Sequence, residues 1–70
     1  RADEALQAVM YFLDDAIQFQ ADKVRILHGT GHGILKTLIR QQLKANPAVR
    51  SFADEDIRFG GAGITVVDLE

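Results

Sequence analysis

The segment Val24-Arg25-Ile26-Leu27-His28-Gly29-Thr30-Gly31-His32-Gly33-Ile34-Leu35-Lys36 restricts the fold of this chain more than any other. Val24 to Leu27, apolar except for Arg25, predicts a short strand buried mostly on one face. Three glycines at alternate positions follow, and they permit backbone turns that side chains resist. An apolar-periodic stretch then begins a helix. A strand that enters a helix through a glycine loop presents main-chain amides at the helix start, where the dipole favours negative charge. The layout suits a phosphate group.

The flanking sequence predicts what packs around that loop. Asp3 is placed to cap a first helix running to about Gln20. Its apolar face carries Leu6, Val9, Met10, Leu13 and Ile17, and its polar face Asp3, Glu4, Gln7, Tyr11, Asp14, Asp15 and Gln18. The second helix runs from about Gly33 to Ala45, with Ile34, Leu35, Leu38, Ile39 and Leu43 inward, and Asn46-Pro47 ends it. Val49 to Phe52 reads as a strand, Asp54-Glu55-Asp56 as a solvated turn, Gly60-Gly61-Ala62-Gly63 as a tight connection and Ile64 to Leu69 as the last strand. The fold class expected is an α/β (α+β) two-layer sandwich: a small mixed sheet with both helices on one face, in the order α-β-α-β-β. Such a sheet leaves an edge bare, so a further strand is expected ahead of Arg1. The chain is expected to be a single domain, residues 1–70, from the C-terminal part of a larger protein.

Composition narrows the function classes. The absence of cysteine excludes a disulfide framework and a thiolate metal site, and fits a reducing, cytoplasmic location. No apolar run approaches the ~20 residues that span a bilayer, so no membrane partner is expected. The net charge of -2 conceals a division. Lys23, Arg25, Lys36, Arg40, Lys44 and Arg50, with both histidines, lie in a stretch that holds no carboxylate, while all 10 acids lie outside it. That local balance fits a polyanion partner; it equally fits a basic helix that pairs with acidic neighbours.

The residue types in and after the loop define the candidate chemistry, each beside a plainer alternative. His28 stands where an imidazole can exchange a proton with a phosphodiester oxygen, or simply hold the turn through a loop carbonyl. Gly29, Gly31 and Gly33 either cradle a phosphate, assisted by Thr30, or serve only a tight turn. His32, Lys36, Arg40 and Lys44 fall four apart, a stripe that can follow a nucleic-acid backbone or remain a solvated face. Other chemistries fail on inventory. Gly-x-Gly-x-Gly is neither the dinucleotide fingerprint nor a Walker loop. Ser51 lacks a base, the two histidines lack the glutamate of a helical zinc motif, and Asp54-Glu55-Asp56 lacks calcium-loop spacing.

In order and spacing, several blocks resemble the Smr (small MutS-related) domain, particularly the copy at the C-terminus of bacterial MutS-two proteins. They are Arg1-Ala2-Asp3-Glu4-Ala5-Leu6, Phe12-Leu13-Asp14-Asp15-Ala16, the His28-Gly29-Thr30-Gly31 motif with its strand, Gly33-Ile34-Leu35-Lys36, Pro47-Ala48-Val49-Arg50-Ser51-Phe52 and Gly60-Gly61-Ala62-Gly63-Ile64-Thr65-Val66-Val67. The resemblance implies a β-α-β-α-β-β sandwich like the C-terminal domain of translation initiation factor three. It also implies a nicking endonuclease with little sequence preference, in a parent protein that has an ATPase domain, suppresses recombination and associates with stalled ribosomes. It places His28, Gly29 and Gly31 in the active site, and Lys36 at a basic position where arginine is common. The family's first strand, with a Leu-Asp-Leu-Arg-Gly-like motif that adds an acid and an arginine, would precede Arg1.

The resulting expectation is a phosphodiester-cleaving domain with His28 as acid or base. Gly29, Thr30, Gly31, His32, Gly33, Lys36, Arg40 and Lys44 would contact nucleic acid, DNA before structured RNA. No cofactor is expected in these residues, and a divalent cation, magnesium or manganese, only in the complete domain. The alternatives are a module that binds nucleic acid without cutting it and a structural domain that meets another subunit through the acidic face of the first helix.

Overall fold

The computed structural model describes residues 1–70. Its elements are α1 (Ala2–Gln18), β1 (Lys23–Leu27), α2 (Ile34–Ala45), β2 (Val49–Asp54), short 3-10 turns at Ile57–Phe59 and Gly61–Gly63, and β3 (Ile64–Leu69). The sheet order is β1-β3-β2, and both pairings are antiparallel. The two-layer sandwich therefore has the expected element order, with β3, last in sequence, at its centre. A parallel partner that would make the sheet mixed could enter only beside an edge strand, and β1 has no neighbour on its outer side.

Alternation along β3 sorts the faces. Thr65, Val67 and Leu69 are buried against the helices, together with Val24 and Ile26 of β1, while Ile64, Val66 and Asp68 point the other way. Leu13, Ile39 and Leu43 complete the core from the helical layer, and Leu6, Val9, Met10 and Ile17 pack against it from α1. The stripe expected on α1 is the stripe observed, and Tyr11 is exposed on its polar side. A register shift between Val49 and Ser51 lets Val49 and Phe52, three residues apart, both reach the core.

Several boundaries differ from the sequence reading, each for a local reason. Helix α1 begins at Ala2, so Asp3 lies inside its first turn and accepts from the Glu4 amide instead of capping the helix. It stops at Gln18, because Phe19 closes it and Gln20 turns at φ 60°. Ile34, the first residue of α2, is exposed rather than inward, and it lines the same cleft as the glycine loop. Strand β2 continues to Asp54, which removes that residue from the expected turn.

Leu43 is 1% exposed and joins both layers. Leu43→Ala is expected to destabilise the domain by about 2–5 kcal/mol, comparable with the ~3–5 kcal/mol that a core of this size supplies. Thermal unfolding followed by circular dichroism measures the loss.

Candidate nucleic-acid interface

The amides of His28 and Gly29 both donate to the Gly63 carbonyl, at 3.1 and 3.0 Å, so the end of β1 is tied to the residue before β3. Main-chain pairing stops there. The amides of Thr30, Gly31, His32 and Gly33 donate to no protein acceptor. Gly29 at φ 79° and Gly33 at φ 76° occupy the left-handed region and turn the chain into α2. Gly33 is the N-cap, with no side chain to satisfy the first helical amides. Gly31 has no positive φ and no crowding neighbour, so the fold itself asks for no glycine there.

These residues wall an open cleft of about 320 Å³ running from His28 to Lys36, closed on its other side by Arg1, Ala2 and Ala5. Two helix N-termini thus face one space. The expected glycine loop joins β1 to α2, with its first two amides paired to Gly63 and its next four making no main-chain hydrogen bond.

The His28 ring is half-buried and held at both nitrogens. Its Nδ1 lies 2.7 Å from the Gly29 carbonyl and its Nε2 2.7 Å from the Thr65 hydroxyl. A carbonyl only accepts, so Nδ1 carries the hydrogen and, in the neutral ring, Nε2 accepts from Thr65. The Thr65 oxygen in turn accepts from Arg40 Nε at 3.2 Å and Nη2 at 3.0 Å. Arg40 Nη2 also donates to Asp54 at 2.6 Å, and the guanidinium lies 5.4 Å from the Phe52 ring centroid. Lys36 Nζ reaches Asp54 at 2.9 Å and the Ala62 carbonyl at 3.2 Å. The Lys36 hydrogen bond holds the Asp54 carboxyl below its ordinary range; desolvation, the next largest effect, opposes it, and the Lys36 charge and the Arg40 hydrogen bond and charge add to the lowering.

The basic stripe is therefore not a uniform free face. His32 lies in the turn before α2 and makes no side-chain pair, Lys36 and Arg40 converge on Asp54, and Lys44, also unpaired, lines a shallow groove along α2. Sequence reasoning missed two members of the site. Asp54 lies at the far end of β2, and Thr65 on β3 is 37 residues from His28. One signal for Thr65 was present: it is the polar residue among the inward positions 65, 67 and 69. For a divalent cation the donor set does not fit. No three His, Asp or Glu side chains come together, and Asp54 is already shared by two cations.

The Smr domain family model matches residues 1–70. The chain belongs to the Smr domain family. It is 42% identical over 69 residues to the endonuclease MutS2 of Helicobacter pylori and 43% identical over 68 residues to that of Pelotomaculum thermopropionicum. These matches cover 99% and 97% of this chain but 9% of either relative. The crystal structure of the Smr domain of Thermus thermophilus MutS2 superposes with a TM-score of 0.93 at 40% identity, covering 100% of this chain and 88% of that one. This Smr domain thus falls in a nuclease-type family, with the helices and antiparallel strands of its solved relative.

The Asp54 pairing has a pH signature. Because its folded pKa lies below the ordinary 3.8, its stabilisation is present above that value and is lost as pH falls through the folded pKa. Asp54→Asn is expected to unfold at a lower temperature than wild type near pH 7, with the difference shrinking as pH falls below 3.8 and through the folded pKa. Melting curves across that range check it.

Proposed function

We infer that this Smr domain cleaves the phosphodiester backbone of nucleic acid, as a nicking endonuclease with little sequence preference, and that the scissile phosphate occupies the glycine-loop cleft. The observation that carries the reading is the run of free amides from Thr30 to Gly33 at the start of α2. Unpaired donors on a cleft wall can stabilise charge on a phosphate without first breaking protein hydrogen bonds. Lys36 adds a charge at the same wall, and Gly31 leaves the backbone bare for close approach.

In this reading His28 is the group in the cleft wall that exchanges the proton of the reaction, at Nε2, once that nitrogen leaves Thr65. His32 and Lys44 contact the flanking backbone, and Arg40 reaches it only by giving up Asp54. DNA is the proposed substrate, and structured RNA offers the same phosphates. Any divalent cation would need carboxylates from outside these residues, and no step here passes through one. In a MutS2-type protein such cleavage would serve the suppression of recombination or an association with ribosomes. No helix is long and apolar enough to cross a membrane, and a cytoplasmic setting fits this reading.

A module that binds without cutting is the second reading, favoured by one observation: both ring nitrogens of His28 are engaged inside the protein. Supercoiled plasmid separates the two, with and without magnesium, using this chain and a longer one that extends ahead of Arg1. Under the nuclease reading the plasmid is nicked, and His28→Ala lowers the rate by about 10²-fold or more. Binding by that variant stays salt-sensitive, with a log–log slope near −3 if about three phosphates are neutralised. Salt-sensitive binding without nicking by either chain establishes the second reading, and no binding at ~50 mM salt leaves only a structural domain. Gly31→Ala probes the cradle itself: it should keep or slightly raise the melting temperature, since the space is open, while weakening nicking.

A further inference from the structure

We propose that Thr65 is a positioning residue of the cleft: its hydroxyl, oriented by Arg40, sets the tautomer of His28 and thereby the direction of the loop's first free amide. The proposal rests on reading the cleft as a phosphate site. Thr65 is 0% exposed, in a row of inward positions otherwise filled by Val67 and Leu69. A buried hydroxyl costs stability unless its hydrogen bonds are made, and this one makes all that it can. Two guanidinium hydrogens from Arg40 fill its acceptor sites, which leaves its own hydrogen for His28 Nε2.

The consequence passes along the backbone. With Nε2 accepting, Nδ1 holds the ring hydrogen and clamps the Gly29 carbonyl at 2.7 Å. The Gly29–Thr30 peptide is trans, so its N–H points opposite to its C=O. Fixing that carbonyl against the imidazole directs the Thr30 amide away from the ring, at the head of the free run. Arg40 is held for this task from two further sides, by Asp54 at 2.6 Å and by the Phe52 ring. The order of dependence is Asp54, Arg40, Thr65, His28, then the loop. It gives Arg40 an internal role rather than one on the nucleic-acid backbone.

Long-range ¹H–¹⁵N correlations of the His28 ring in the ¹⁵N-labelled chain test this directly, at a pH where the ring is neutral. Wild type is expected in the Nδ1–H form by more than about tenfold, and Thr65→Ser retains it. Thr65→Val, close in shape but without the hydroxyl, lowers the tautomer ratio about fivefold, the worth of one ordinary hydrogen bond. Arg40→Met, on a more exposed residue, lowers it in the same direction and serves if Thr65→Val does not fold. A wild-type ring in the Nε2–H form overturns the proposal, as does a ratio unmoved in whichever variant is folded. Plasmid nicking is measured alongside, and Thr65→Val should lower it about tenfold. A shifted tautomer with no nicking by either wild-type chain, this one or the longer one, sinks the nuclease reading and leaves the positioning role standing. Nicking by wild type with an unshifted tautomer does the reverse.

Discussion

One carbonyl, that of Gly63, accepts from two successive amides, and the geometry of the loop follows from that pairing. It anchors the end of β1 to the start of the central strand, so the chain leaves the sheet at a fixed point and in a fixed direction. From there to α2 the amides of Thr30, Gly31, His32 and Gly33 make no main-chain hydrogen bond of good geometry. Exposure makes this tolerable, since water satisfies the amides. A rigid exit from a sheet edge, followed by a helix start, holds several such donors on one concave wall without any side chain to aim them.

The charge pattern of the sequence changes meaning once folded. Four of the six basic residues between Lys23 and Arg50 meet acids from outside that stretch: Lys23 with Asp68, Arg25 with Glu55, and Lys36 and Arg40 with Asp54. The first two pairs lie on the sheet face away from the helices. Such exposed pairs add little stability individually, yet they cancel most of the field that the segment would project. What remains at the cleft is local: helix N-termini, bare amides and the shared Lys36. Backbone dipoles act over short range, so under the proposed reading binding there would depend on fit at the loop more than on long-range attraction.

Where the sequence was legible, the signal was local. The apolar stripe of α1, the proline-terminated α2 and the β-branched run of β3 each declare themselves within a few residues, and the glycines mark the loop. The element order and two-layer packing follow from those signals. The unread parts depend on partners far along the chain. Asp54 looks like the first residue of an acidic turn until β2 places it beside Lys36 and Arg40. The exposure of Ile34 follows from where the loop delivers the first turn of α2. Thr65 has a neighbour in sequence on either side that suits a strand, and only its burial beneath His28 and Arg40 gives its hydroxyl a purpose.

Under the nuclease reading, a cleft built this way would recognise what every nucleotide shares. Main-chain amides and a lysine ammonium would contact phosphate oxygens, which carry no base identity. Neither helix presents a free row of side chains to a groove: α1 turns an acidic face outward, and the two central cations of α2 are bound to Asp54. Discrimination among bases would need donors and acceptors directed at their edges, and the wall from His28 to Lys36 directs its donors from the backbone. Under that reading, low sequence preference would be a property of the donor type. A side-chain substitution can weaken or misalign this site far more readily than it can teach it a sequence.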